Sequence, residues 1–512
     1  MAGYHVENFG CRASQADGDA IAASLERMGI AAAHTLHGAE VVVVNTCTVT
    51  AEADRDARAY IRRVQRANAG ARIVVTGCYA QRAPQEVGAL PGVAAVVGNS
   101  HKDQVAAIAA QGVAETTPDR DFVPLAALST IPPAGVTAGA EGLRSVLFAH
   151  SDFPMFAAAG NTPATASWPA VGLGMGGPKA ERTRPNLKVQ EGCGNRCTFC
   201  IIPTTRGPGR SLPRAAVLQT VEEFVASGGK ELVLSGINLG RWGRDLSTPE
   251  HFADLVAAIL EETALPRLRI SSVEPMDWDT DLIALLAQYG QGEHPRLARH
   301  AHLPLQSGSD AVLRRMHRRY RPWHYAEKLA AIHTAQPLAA IGADVMVGFP
   351  GESDAEFQES YDFIAAQPFT YLHLFPFSPR PGTPAWDLHR GHPVPSVAVQ
   401  ERMAALRRLI EQKNRAFRQS LVGQRLSVVT LETSSTLRKL RQTEAVSDNF
   451  VPVRLDAAIP ANALLLVDVL KATDAGANGT AGGPPTPGRL LAHPVDLSSE
   501  CRPYLPTPTT AI

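Results

Sequence analysis

Apolar and polar positions follow two alternating periods over residues 1–112. "EVVVVNTC" and "RIVVTGC" are continuous β-branched runs that end on Cys47 and Cys78, the pattern of strands buried on both faces. "YHVENFGC" is a further strand pattern ending at Cys11, and "GVAAVVGNS" is one without a cysteine. Between them "QADGDAIAASLERMGI" and "AEADRDARAYIRRVQRANAG" repeat at helical spacing, the second with a glycine stop. This βαβα order implies a parallel sheet. From about residue 186 the alternation resumes, with strands in "NLKVQ", "ELVLSG", "RLRISS", "HAHLPL", "GADVMVGF" and "YLHLFPF" and helical stretches between them. Six β-α units with no return strand predict an incomplete barrel, with chemistry at the C-terminal ends of its strands. A basic amphipathic helix covers 396–420, and "LVGQRLSVVTLE", "QTEAVSDNFVPVRLD" and "ALLLVDVLKA" read as a small β-barrel. The chain is thus α/β with five segments: 1–112; an Ala/Gly/Pro-rich linker over 113–182, holding a short ordered piece at "LRSVLFAHSDF"; 183–420; 421–475; and a mobile tail over 476–512.

Composition narrows the partners. The formal net charge of the 512 residues is zero, so a nucleic acid would have to be held by local basic patches rather than by a global field. No apolar run reaches the roughly 18 residues of a membrane span, and "MAGYHVENFG" lacks a secretory pattern. The expectation is a cytoplasmic protein with no membrane partner. Its seven cysteines are then better read as metal ligands, catalytic groups or buried fillers than as disulfides.

Three of the seven lie in "EGCGNRCTFCIIP": Cys193, Cys197 and Cys200, after the first strand of the expected barrel. A closed zinc site takes four ligands. Three thiolates on a four-iron cluster leave one iron open for a cofactor or substrate. Zinc with a distant fourth ligand, or buried filler cysteines, are the other readings of this spacing. The spacing C-x3-C-x2-C with Phe199 before the last cysteine resembles the radical S-adenosylmethionine (SAM) superfamily. The resemblance implies a partial (β/α)6 barrel, a [4Fe-4S] cluster on these three cysteines, SAM cleaved there to a 5′-deoxyadenosyl radical, and Phe199 against the SAM adenine. Ser235, Gly236, Asn238, Ser272, Glu274 and Gln306, at expected strand ends, are candidate SAM contacts. Gly236 suits a close backbone approach. Each reads equally as an ordinary loop hydrogen-bonding residue.

Cys11, Cys47 and Cys78 each follow a strand at its C-terminal end, and in a parallel sheet those ends share one edge. Three thiols at equivalent ends point to a second, auxiliary cluster. Cys501, in the tail, reads as an unliganded thiol. Three such cysteines ahead of the C-x3-C-x2-C loop, with "NTCTVTAEAD", "VVTGCYAQ", "GCGNRCTFCIIPTTRG", "HLPLQSGSDAVLRRM", "VGFPGE" and "FPFSPRPGTPAW", resemble the radical SAM methylthiotransferases. That resemblance implies an N-terminal parallel α/β methylthiotransferase domain, the radical SAM barrel, and a TRAM-like RNA-binding β-barrel. It also implies two [4Fe-4S] clusters, with an electron donor and a sulfur donor that the sequence does not name. "NTCTVT", "RISSVEP" and "FPFSPRPGTP" look most like the branch that methylthiolates C2 of N6-threonylcarbamoyladenosine at position 37 of tRNA. Isopentenyladenosine of tRNA and an aspartate of a ribosomal protein are the substrates of the other branches. An iron–sulfur RNA-binding scaffold is the non-enzyme alternative. Ser14 stands where that family usually has Asn, and the linker is long for it.

For RNA, residues 314–328 carry six Lys/Arg against Glu327 alone, with Tyr320, Trp323 and Tyr325 interleaved. Arg318, Arg319, Arg321 and Trp323 are candidate contacts to phosphates and an unpaired base of an anticodon loop. A solvated basic helix face is the other reading. Arg380, between two prolines, either reaches a phosphate or carboxylate or braces the barrel rim.

Overall fold

A computed structural model of the protein describes residues 3–33, 35–111, 183–474 and 488–495, and the backbone of 146–147. The rest of the 113–182 linker, most of the 476–512 tail and Cys501 lie outside these residues. Contacts divide the chain into two compact units. The first joins the N-terminal residues to Glu191–Arg210 and Ser378–Asp387. The three-cysteine loop thus falls in the first compact unit.

The first unit is built on six parallel strands: β1 (Gly3–Asn8), β2 (Ala31–Ala32), β3 (Val41–Thr46), β4 (Arg72–Gly77), β5 (Val93–Val97) and β6 (Val146–Leu147), in the order β2-β1-β3-β4-β5-β6. The last lies in the stretch read as a short ordered piece of the linker. Helices α1 (Arg12–Arg27), α2 (Ala51–Ala67), α3 (Cys78–Arg82), α4 (Pro84–Gly88) and α5 (Val105–Ala110) follow the strands. The β-branched runs are covered on both sides. Val41, Val43 and Val74 pack with Leu25 of α1 and Val105 of α5, whereas Val42, Val44, Ile73 and Val75 pack with Ile61 and Val64 of α2. Each fully buried Val or Leu contributes about 1.5–3 kcal/mol, so the register of these strands is strongly specified. Thr50 caps α2 by accepting from the Ala53 N–H at 3.2 Å, and Glu52 and Asp54 in the first turn complement the helix dipole. A further short helix, α6 (Ile202–Arg206), follows the three-cysteine loop.

In the second unit all six expected strands form: β7 (Asn186–Glu191), β9 (Glu231–Gly236), β10 (Arg267–Ile270), β11 (His300–His302), β12 (Ala340–Val347) and β13 (Tyr371–Pro376), with β8 (Arg210–Ser211) an addition beside β7. They make a sheet in the order β10-β9-β7-β8 and another in the order β11-β12-β13. Isolated parallel bridges at Leu268–Leu297 and Ser272–His302 lead from one to the other, so the six strands run as a partial barrel. β11 is shorter than read, because Pro304 cannot donate to a ladder.

The C-terminal strands close into a five-stranded barrel: β14 (Arg425–Thr430), β15 (Thr443–Ser447), β16 (Pro452–Leu455), β17 (Leu464–Ala472) and β18 (Leu490–Pro494). β18 corrects the reading of 476–512 as wholly mobile. Its Leu490 and Ala492 are buried in the barrel core, and it pairs with both β16 and β17, which removes two open edges. Against this barrel the strand starts of β9 and β10 carry a fully buried charge network. Arg269 donates to Glu231 and to the carbonyls of Ser447 and Asp448, and Arg267 donates to Glu231 and Ser427. Burial disfavours the Glu231 carboxylate, but Arg269 and Arg267 win and hold its pKa down to about 2. With that end of the strands occupied by a structural network, the C-terminal ends are left for ligands.

Candidate active site

The N-terminal cysteines converge because β1, β3 and β4 are neighbours in the sheet. Cys11 is the residue before α1, Cys47 directly follows β3, and Cys78 opens α3. Two glycines make this approach feasible. Gly10, at φ +105°, would place a Cβ 2.6 Å from Cys47 Cβ and 2.8 Å from its sulfur. Gly77, at φ +97°, would place one 2.3 Å from the Thr46 carbonyl oxygen. Neither position tolerates a side chain. The thiols feel one another. Burial first, then the charges of Cys78 and Cys11, push the Cys47 thiol up to about 12, while the Val49 N–H and Arg206 act the other way. The Val49 N–H lies 3.5 Å from the Cys47 sulfur, and Ser14 Oγ lies 3.7 Å from that of Cys11.

Arg206, at the end of α6, was absent from the sequence reading of the site. Its guanidinium is fully buried and spends its donors on four partners: Nε on Cys78 Sγ at 3.2 Å, Nη1 on Asp17 at 3.2 Å and Glu191 at 2.5 Å, and Nη2 on Ser14 Oγ at 3.1 Å. Burial works against its charge, but Cys78, Glu191 and Asp17 more than offset that. Three mutually repelling sulfurs beside a fixed cation form a donor set that suits a thiolate-bound iron cluster. A metal bound at Cys47 would displace the thiol proton and hold the sulfur as a thiolate. Ser14, the departure noted above, is the hydroxyl that receives Arg206.

The contiguous loop is shaped differently. Gly192, at φ +71°, would put a Cβ 1.9 Å from the Pro208 carbonyl oxygen, and the Cys193 N–H donates to Gly207 O at 3.0 Å. The Asn195 N–H lies 3.4 Å from Cys193 Sγ, and the Cys200 N–H donates to Cys197 O at 3.1 Å. The three thiols and Phe199 are half-buried, close enough to the surface to receive a cluster and a cofactor.

In the second unit the candidate SAM residues sit at strand ends, as expected. Ser235 and Gln306 are buried, and Ser235 Oγ and Gln306 Oε1 have no hydrogen-bond partner. Buried acceptors left unmet cost about 1–3 kcal/mol each, which the amine and hydroxyl donors of a nucleoside–amino acid ligand would recover. Gln306 also holds φ +65°, a strained value for a residue with a side chain. Gln190, missed from sequence, accepts from the N–H groups of Ile237 and Asn238 at 3.1 and 2.7 Å and so fixes the loop after Gly236. Glu274 is ion-paired with Arg318, and Ser272 bridges His302. His302, Asp344 and His373 share one face of the β11-β12-β13 sheet, with Asp344 Oδ1 3.6 Å from His302 Nε2 and 3.2 Å from His373 Nδ1. No spacing in the sequence announced this row, because its members come from three strands.

The basic segment splits in two. Arg319 and Trp323 are exposed, and Arg321 is half-buried and paired with Asp310 at 3.3 Å. Arg318 is buried, and Tyr320 and Tyr325 are core residues whose hydroxyls donate to the carbonyls of Pro304, Leu305 and Leu303. Those two rings are structural and do not stack on a base. Arg380, in the first unit, is buried and donates to Asp54 at 2.7 Å. It braces the segment after Cys47 together with Arg82, which donates to Thr48 and Asp54.

Two family patterns match this chain: "Uncharacterized protein family UPF0004" over residues 3–98 and "Radical SAM superfamily" over residues 187–364. The threonylcarbamoyladenosine tRNA methylthiotransferase of Bacillus subtilis is 33% identical over 88% of this chain and 90% of its own length. The chain belongs to the radical SAM methylthiotransferase family. The protein of the same description from Aquifex aeolicus is 33% identical over 84% of this chain and 93% of its own. The tRNA-2-methylthio-N(6)-dimethylallyladenosine synthase of Erythrobacter litoralis is 30% identical over 84% and 86%. This methylthiotransferase is therefore a radical SAM enzyme, and its family implies SAM and a [4Fe-4S] cluster, for which the Cys193–Cys197–Cys200 loop is the fitting donor set. Among the described residues no helix is long and apolar enough to cross a membrane.

Proposed function

We propose that this enzyme acts on tRNA, placing a methylthio group on C2 of N6-threonylcarbamoyladenosine at position 37, with a second [4Fe-4S] cluster on Cys11, Cys47 and Cys78. The observation that carries the chemistry is the placing of these three cysteines after neighbouring strands, with a buried guanidinium 3.2 Å from Cys78 Sγ. Relatives named for threonylcarbamoyladenosine, at up to 33% identity, support this substrate, with dimethylallyladenosine enzymes reaching 32%. Exposed Arg319 and Trp323, both on the second unit, suit a phosphate and an unstacked base.

When bound, SAM on its cluster supplies hydrogen abstraction and a methyl group. The chain supplies the rest. Cys193, Cys197 and Cys200 would hold the cluster, Gln190 fixes the loop at Ile237 and Asn238, and Ser235 and Gln306 would offer acceptors to the cofactor. Mass spectrometry of tRNA nucleosides from cells with and without the gene tests the substrate. Loss of the methylthio mark on threonylcarbamoyladenosine alone is expected. Loss on isopentenyladenosine instead, or unchanged tRNA, overturns the assignment and shifts it to another branch.

A further inference from the structure

Arg206 lies on the segment that carries one set of cysteines and reaches a sulfur of the other. α6 begins two residues after Cys200 and ends at Arg206, whose Nε is 3.2 Å from Cys78 Sγ. The same helix end is tied a second time, since Asn99 Nδ2 donates to Thr205 O at 2.8 Å and lies 3.6 Å from Cys78 Sγ. The guanidinium cannot turn away. Its other donors are engaged by Asp17, Glu191 and Ser14, and Lys102 donates to the same Asp17 Oδ2. Such a group is a fixed N–H donor and a fixed positive charge at one ligand of the proposed auxiliary cluster, in a site with little water to screen it.

We propose that Arg206 is a positioning residue of the auxiliary centre, which orients the Cys78 thiolate and raises that centre's reduction potential, and that α6 makes it a physical link between the two cysteine loops. The proposal rests on the two-cluster reading above. Its physical basis is general: hydrogen bonds to the sulfurs and nearby positive charge stabilise the more negative, reduced cluster.

The test compares wild type with Arg206→Lys, Arg206→Gln and Asn99→Ala, each with its clusters rebuilt anaerobically. Iron and sulfide are counted, and both centres are titrated by electron paramagnetic resonance. Arg206→Gln is expected to shift the auxiliary centre to a more negative potential while the Cys193–Cys197–Cys200 centre stays in place. Arg206→Lys, which keeps the charge and loses the Nε–H bond, is expected to fall between, and Asn99→Ala to shift less in the same direction. Loss of iron from the auxiliary centre alone in Arg206→Gln also supports the link, with Arg206→Lys then providing the potential. Unchanged potentials at full iron in both Arg206 variants, or an equal shift of both centres, overturn it. A wild-type enzyme holding about four irons rather than about eight overturns the two-cluster reading instead, which keeps the two failures apart.

Discussion

The two sets of three cysteines are assembled by opposite routes. Cys193, Cys197 and Cys200 lie within eight consecutive residues on one loop, and the loop's own turn at Gly192 and the Cys193–Gly207 hydrogen bond shape it. Cys11, Cys47 and Cys78 span most of a sheet in sequence and meet only because β1, β3 and β4 are side by side. The contiguous set has half-buried sulfurs, while the dispersed set has two buried ones and a buried cation. A local loop keeps its ligands together even when its surroundings shift. A set assembled by topology depends on every strand end being in register, and here on glycines at two of them.

That contrast can be broken most severely at its two centres. Cys197→Ala is expected to abolish reductive cleavage of SAM, read as 5′-deoxyadenosine, with iron falling from about eight to about four per chain. Cys47→Ala is expected to lose iron similarly and to form no methylthio product, yet to keep measurable cleavage. Full product from Cys47→Ala would remove the auxiliary site.

Gly77→Ala sharpens the comparison without touching a ligand. Its φ of +97° and a Cβ 2.3 Å from Thr46 O together cost about 4 kcal/mol. A lower melting midpoint and loss of the auxiliary iron alone are expected, and an intact iron count would show that register tolerance is greater than argued. Glu231 serves as a control belonging to neither set. Its folded pKa of about 2 lies below its ordinary 4.5, so the stability it adds is fully present above pH 4.5 and is lost as pH falls toward 2. The amount is on the order of 3 kcal/mol. Glu231→Gln should flatten that part of the acid-unfolding curve, and an unaltered curve would place the acid sensitivity elsewhere. If the buried Ser235 hydroxyl accepts from SAM as proposed, Ser235→Ala should weaken binding by about 1 kcal/mol, or about fivefold, measured by equilibrium binding. No change in affinity would take Ser235 out of the cofactor site.

Much of this architecture was legible beforehand. The valine runs at 41–44 and 73–75 revealed strands covered on both faces, and six barrel strands followed from the same apolar periodicity. β18 escaped because a five-residue strand after a Gly/Pro-rich stretch carries too few positions to display a period. Interleaved aromatics and arginines look alike in sequence whether they face solvent or core, so exposed Trp323 and buried Tyr320 and Tyr325 separate only in the structure.

What the sequence determined alone was whatever is local: the C-x3-C-x2-C loop, the glycine before Cys11, Cys78 and Cys193, and the strand and helix periods. What only the tertiary structure decided was which distant residues share a site. Arg206 beside Cys78, Gln190 under the loop at Ile237, and the row of His302, Asp344 and His373 each join residues from separate elements. The reason is physical. Backbone periodicity is set by neighbours a few residues apart, whereas a buried charge finds its partner only after the sheets have brought distant segments together and expelled the water between them.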